Sequence, residues 1–174
     1  SLENFGVSTP TTELTKQVVD VTRPNVSFDQ MTIDIYNSRV YLAGKHTWEP
    51  ITINLREDVN NNVQKLVGEQ LQKQFDFYEQ SSAASGLDYK FATRIEILDG
   101  GNGANTPTIL ETFELYGCYV ESANYNQLAY SAGTEPVTVT LNVRYDNAVQ
   151  TPQGTGIGTA IGRTVNTLVT GGGA

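Results

Sequence analysis

MTIDIYNSRVYLAGKHTWEPITINL, residues 31–55, is the stretch on which the fold turns. Met31, Ile33 and Ile35 alternate with Thr32, Asp34 and Tyr36, the period-two pattern of a β-strand with two unlike faces. Asn37-Ser38 supplies turn residues, and Arg39 to Leu42 reads as a returning strand ended by Gly44. A second strand follows, with Ile51, Ile53 and Leu55 on one face and Pro50 just before it, where a missing N–H costs least. Between them lie the single histidine and the single tryptophan of the chain, His46 and Trp48. A base needs a nucleophile or an orienting carboxylate, and neither spacing nor pattern supplies one here. His46 therefore reads as an exposed turn residue.

Outward from this stretch the strands multiply. Phe91, Thr93, Ile95 and Ile97 alternate within 89–98, and 99–105 (DGGNGAN) reads as the loop of a hairpin. Residues 109–120 form another strand, with a bulge or close approach expected at Gly117. Val137, Val139, Leu141, Val143 and Tyr145 make the cleanest alternation in the chain. One segment changes period. Val59, Val63, Leu66, Val67, Leu71, Phe75 and Tyr78 recur at spacings of three and four, which predicts a helix over about 59–80 capped by Asp58 or one of Asn60–Asn62. The expected class is mainly β, a sandwich or small barrel of antiparallel strands with one flanking α-helix. Residues 1–27 read as a Thr- and Ser-rich arm, with a short strand possible around Val18–Val21, 28–147 as the β domain, and 148–174 as a Gly/Thr-rich tail.

Composition excludes several functions. The net charge of −8 comes with no Lys/Arg cluster, so the chain lacks the basic footprint of a protein that grips nucleic acid. One histidine and one cysteine rule out zinc sites built from those residues. Lone Cys118 forms no internal disulfide and reads as a small buried hydrophobe, in keeping with a reducing compartment. Asp99–Asn105 lacks the regular acidic positions of a calcium loop. GTGIGTAIG, residues 154–162, imitates a dinucleotide fingerprint, but Thr151-Pro152-Gln153 separates it from the last strand and no acidic residue follows about 20 positions on. It reads instead as a segment that orders against a partner or not at all. No signal peptide is expected from SLENFGVSTPTTELTK, and no apolar run approaches the ~20 residues of a membrane span. No cofactor is expected, and no catalytic set emerges.

The span YNSRVYLAGKHTWEPITINLRED, residues 36–58, resembles the tail-tube proteins of contractile-tailed bacteriophages and the wider Hcp-like tube superfamily. The shared pattern is Gly44, Lys45, Thr47 and Trp48, then the strand Ile51–Leu55 and the acidic pair Glu57-Asp58. The later order is similar too: a helix, a strand, TFELYGCYV (112–120), SANYNQLAYS (122–131) and VTVTLNVRY (137–145), so the likeness covers about 28–147. The resemblance implies that 30–48 is an extended hairpin reaching into the neighbouring ring. Tyr36, Asn37, Ser38, Arg39, Lys45 and His46 would stack on that ring, with Gly44 and Trp48 anchoring the base. An indole suits that anchor, since it buries a large area while its N–H stays partnered. The resemblance further implies a non-enzymatic subunit of homohexameric stacked rings, inner sheets joined around an acidic lumen of about −48 per ring, and genomic DNA passing without specific binding. Tail sheath, baseplate and tail terminator proteins would be its partners, with no membrane anchor. It would be assembled in the host cytoplasm and located in the virion tail. Two other readings stand beside it: a baseplate tube initiator or inner-tube subunit of a type VI-like injection system, and a carbohydrate-binding β-sandwich module motivated by the tyrosines and the Asn/Asp-rich loops.

Overall fold

A computed structural model describes residues 2–3, 11–12, 16–57, 60–101, 103–104, 107–127 and 136–151. In chain order the strands are β1 (Leu2–Glu3), β2 (Thr11–Thr12), β3 (Val18–Val21), β4 (Val26–Ile35), β5 (Ser38–Trp48) and β6 (Ile51–Arg56). The one α-helix among the described residues, α1 (Asn62–Gln74), follows. After it come β7 (Phe75–Asp76), β8 (Ser81–Ser82), β9 (Phe91–Leu98), β10 (Ile109–Tyr125), β11 (Thr138–Arg144) and β12 (Asn147–Thr151). Eight strands form one antiparallel sheet in the order β2–β1–β9–β10–β11–β6–β3, with β12 paired on β10. The sheet curls into a half-barrel, so the described residues are mainly β with one α-helix, as the sequence pattern implied.

The core lies on one face of that sheet. Ile51, Ile53 and Leu55 of β6, Val139, Leu141 and Val143 of β11, and Leu115, Cys118 and Val120 of β10 are buried together, and Val63 and Val67 of α1 pack into the same cluster. Each strand donates alternate residues, which is why the period-two pattern was visible. Gly117 takes φ +67 at a register shift between β9 and β10, and a side chain there would collide with Asp146. Only glycine fits.

Several boundaries move. The helix ends at Gln74, short of 80, and among the described stripe residues Phe75 and Tyr78 are exposed. Asn61 sits left-handed at the helix start without a side-chain cap, and the capping acceptor is Glu57, whose Oε2 receives the Gln64 N–H at 3.1 Å. Asp58 and Val59 lie outside the described residues. At the far end, Gln74 Nε2 donates to the Val120 carbonyl and its Oε1 accepts the Val120 N–H, both at 2.9 Å, so the helix is clipped to β10 like a short strand. The strand expected over 109–120 runs on to Tyr125, into the SANYNQLAYS segment. Val18–Val21, counted with the arm, pairs on β6, and Asn147–Thr151, mostly counted with the tail, pairs on β10.

Candidate assembly surfaces

β4 and β5 form a two-stranded sheet of their own, standing off the main one. They continue the β3–β6 ribbon: the Thr22 N–H donates to the Thr52 carbonyl (2.9 Å), and the Glu49 N–H to the Asn25 carbonyl (3.0 Å). With strands of 10 and 11 residues, the hairpin extends about 30 Å at ~3.3 Å per residue. The turn is Tyr36-Asn37, one residue earlier than Asn37-Ser38, because Ser38 already pairs with Ile35. Tyr36 holds φ +48 and is fully exposed. Gly44 does not end the return strand. It sits inside β5 at a register shift, where an added Cβ would come within 2.9 Å of the Asp29 carbonyl oxygen, and the strand runs on to Trp48.

The pairing register sorts the hairpin into two faces. Met31 opposes Leu42 and Ile33 opposes Val40, so these residues and Ile35 form one exposed apolar face. The other face begins in the core. Trp48, 8% exposed, packs on Tyr145 with ring centroids 5.7 Å apart; His46 lies edge-on to Trp48 at 6.2 Å, and Phe28 tilts against His46 at 6.4 Å. His46 is thus one ring in an aromatic row leading out of the core. Further out, Arg39 Nε meets Asp34 Oδ1 at 2.8 Å near the tip, while Lys45 is exposed beside the register shift. One expectation fails: the Trp48 indole N–H is buried without a partner among the described residues, as is the Tyr145 hydroxyl beside it. Burial pushes the Tyr145 phenol up to about 12.

Across the sheet from the core lies a surface the sequence reading did not single out. Thr52 Oγ1 donates to Asn142 Oδ1 (2.9 Å), and Asn142 Nδ2 donates to Ser122 Oγ (2.8 Å), crossing from β6 to β11 to β10. Thr140 Oγ1 donates to Asn54 Oδ1, and Asn54 Nδ2 to Asp20 Oδ1, both at 2.7 Å, crossing from β11 to β6 to β3. These side chains answer one another, forming a ladder of amides and hydroxyls. The charges near its margin include Arg144 and Glu121, 3.5 Å apart. The regular Thr/Asn alternation opposite the aliphatic positions of β6 and β11 was the available signal.

No group of three or more His, Cys, Asp or Glu that could hold a metal occurs among the described residues. Cys118 is buried, and desolvation pushes its thiol up to about 11. A shallow cleft between Ser85–Leu87, Lys90 and Asp146 contains one close ion pair, Lys90 Nζ to Asp146 Oδ2 at 2.6 Å, which holds the Lys90 ammonium above its usual range. Residues 102, 105 and 106 of the 99–108 loop and residues 152–174, with the 154–162 glycine run, lie outside the described residues. Among the described residues no helix is long and apolar enough to cross a membrane.

No family model and no curated protein matches the chain. Solved structures do. A chain in the cryo-EM structure of the anti-feeding prophage baseplate, six-fold symmetrised, superposes with TM-score 0.56 at 10% identity over 76% of this chain and 78% of that one. A chain of the anti-feeding prophage tube-terminating cap gives 0.55 at 12% identity, over 86% and 96%. A chain of the sheath-tube complex of an extracellular contractile injection system, in its extended state, gives 0.54 at 15% identity, over 78% and 80%. The fold is one found in chains of contractile injection machines.

Proposed function

We propose that this chain is a non-enzymatic structural subunit of a contractile-tail tube, assembling as six-membered rings that stack into a conduit. The observation that carries the reading is the β4–β5 hairpin. An isolated two-stranded ribbon is marginally stable in water, and this one also leaves Met31, Ile33, Ile35, Val40 and Leu42 uncovered. A second copy in the next ring supplies the missing surface: Tyr36, Asn37, Ser38 and Arg39 engage that ring, Lys45 and His46 flank the joint, and Trp48 holds the root. Laterally, the edge of β3, unpaired among the described residues and with Val18 and Val19 exposed, is disposed of by pairing with the ring neighbour. The negative charge of each chain, summed around the ring, repels phosphate, so DNA passes without binding. Sheath, baseplate and terminator proteins are the remaining partners, and the site of action is the virion tail.

Negative-stain microscopy of purified protein, with and without a nucleating baseplate, tests this. Rings or tubes are expected, and strictly monomeric protein in both conditions refutes it. Long tubes identify the main tube subunit; a single ring that grows only with another protein identifies a tube initiator.

A further inference from the structure

The connection from α1 to β9 carries a second small hairpin, β7–β8, whose tip is aromatic. Asp76 Oδ1 accepts the Tyr78 N–H (2.9 Å), the Glu79 N–H (3.2 Å) and a proton of Gln72 Nε2 (2.7 Å). These donors, the Glu79 amide foremost, hold the Asp76 carboxyl below its usual range. The knot fixes Phe77 and Tyr78 in the open, 61% and 94% exposed, and Phe75 braces Phe77 edge-on at 5.4 Å. Rings displayed this way lose little entropy on binding and are typical interface anchors, yet Phe77 and Tyr78 take no part in the core.

We infer that this aromatic tip is the outward docking surface of the tube, taken by an apolar socket with a basic rim on the protein layer that encloses it; the inference rests on the tube reading above. In that reading the hairpin and the sheet edges are occupied by other copies, which leaves two radial faces, the Thr/Asn ladder and the α1 side with its tip. Surface chemistry assigns them. Exposed aromatic rings on an inner wall would stack with bases and hold the cargo, whereas the ladder's amides and hydroxyls are bonded to one another. The ladder therefore faces inward and the tip outward; the inner wall carries amides and hydroxyls with the Asp20 carboxylate among them, and the remaining repulsion of phosphate comes from the ring as a whole. Residues 74–89 hold Asp76, Glu79 and Asp88 and no lysine or arginine, which calls for a basic rim on the partner. Three aromatic side chains offer on the order of 500 Å², short of the roughly 800 Å² per partner in a stable stand-alone complex. A contact of that size holds when it is repeated along a polymer.

The test compares tubes of the wild type and of the double variant Phe77→Ser/Tyr78→Ser, each incubated with the sheath protein of the same particle and read by co-sedimentation and microscopy. The double variant should keep its melting temperature and form normal tubes while binding at least about tenfold less sheath. Equal sheath binding overturns the inference. A folded variant that no longer forms tubes also overturns it, since the tip would then join copies of this chain. Wild-type protein that never forms tubes is a different result: it sinks the tube reading and the inference with it.

Discussion

Ile53 and Ile33 sit on the same β-ribbon and meet opposite fates. Ile53, on β6, is 6% exposed, paired with Leu141 of β11 and part of the core cluster; Ile33, on β4, is 43% exposed and paired with Val40 across the hairpin. Both belong to clean period-two alternations, so local pattern alone does not separate them. What separates them is the interruption of the strands at Thr22–Asn25 and Glu49-Pro50, beyond which no third strand among the described residues pairs with the ribbon. Aliphatic residues inside the sheet stabilise this molecule. Aliphatic residues beyond it are left exposed, available to the proposed assembly.

That contrast yields a graded set of outcomes. Trp48→Ala, at the joint between the halves, should cost ~3–5 kcal/mol in a denaturant melt, because it empties the buried side of the aromatic row. A wild-type-like melt would mean that the root is not part of the core. Next comes the matched pair. Ile53→Ala should cost ~2–4 kcal/mol, whereas Ile33→Ala should stay within about 0.5 kcal/mol while cutting tube yield in sedimentation. Equal destabilisation would erase the distinction. Smaller still, replacing Asn37 and Ser38 at the tip should leave the melt unchanged and only weaken ring stacking, seen as shorter or fewer tubes by microscopy. Normal tubes from that variant would move the stacking contact elsewhere on the hairpin.

The smallest effect at neutral pH is Tyr145→Phe, expected near zero because the hydroxyl it removes has no partner among the described residues. It grows in alkali. A phenol pKa raised from 10.0 to about 12 means that unfolding releases a proton in that window. The stabilisation is whole below pH 10 and disappears as pH rises towards 12. Cys118, raised from 9.0 to about 11, adds the same sign one unit lower. Melts of wild type and Tyr145→Phe from pH 8 to 12 should therefore diverge only above about pH 10. Parallel curves would show that the phenol is not held neutral by the fold.

The strands were legible in the sequence because each buries one face, and Val139, Leu141 and Val143 mark that face unaided. The helix end was not. Phe75 and Tyr78 continue the three-and-four spacing, but the Asp76 side chain captures the Tyr78 and Glu79 amides and turns the backbone out of the helix. β12 was hidden for another reason: its pairing depends on β10, and nothing in Asn147–Thr151 announces a partner. At the hairpin, alternation gave the strands, but their length depends on a register shift that lets β5 pass Gly44 and reach Trp48. The Thr/Asn ladder was spelled out in the polar positions of β6 and β11. Its cross-strand bonds appear only once the register is known.

Trp48 is the only indole in the chain, and it stands where the exposed ribbon enters the core, in contact with Tyr145 and His46. Ultraviolet emission excited at the red edge therefore comes from one known place. Any bending or stiffening of the ribbon root changes the polarity and quenching around a single emitter, so growth of the proposed tube would be timed in unlabelled protein as a change in colour or lifetime. The same property gives every substitution in the ribbon an internal optical control.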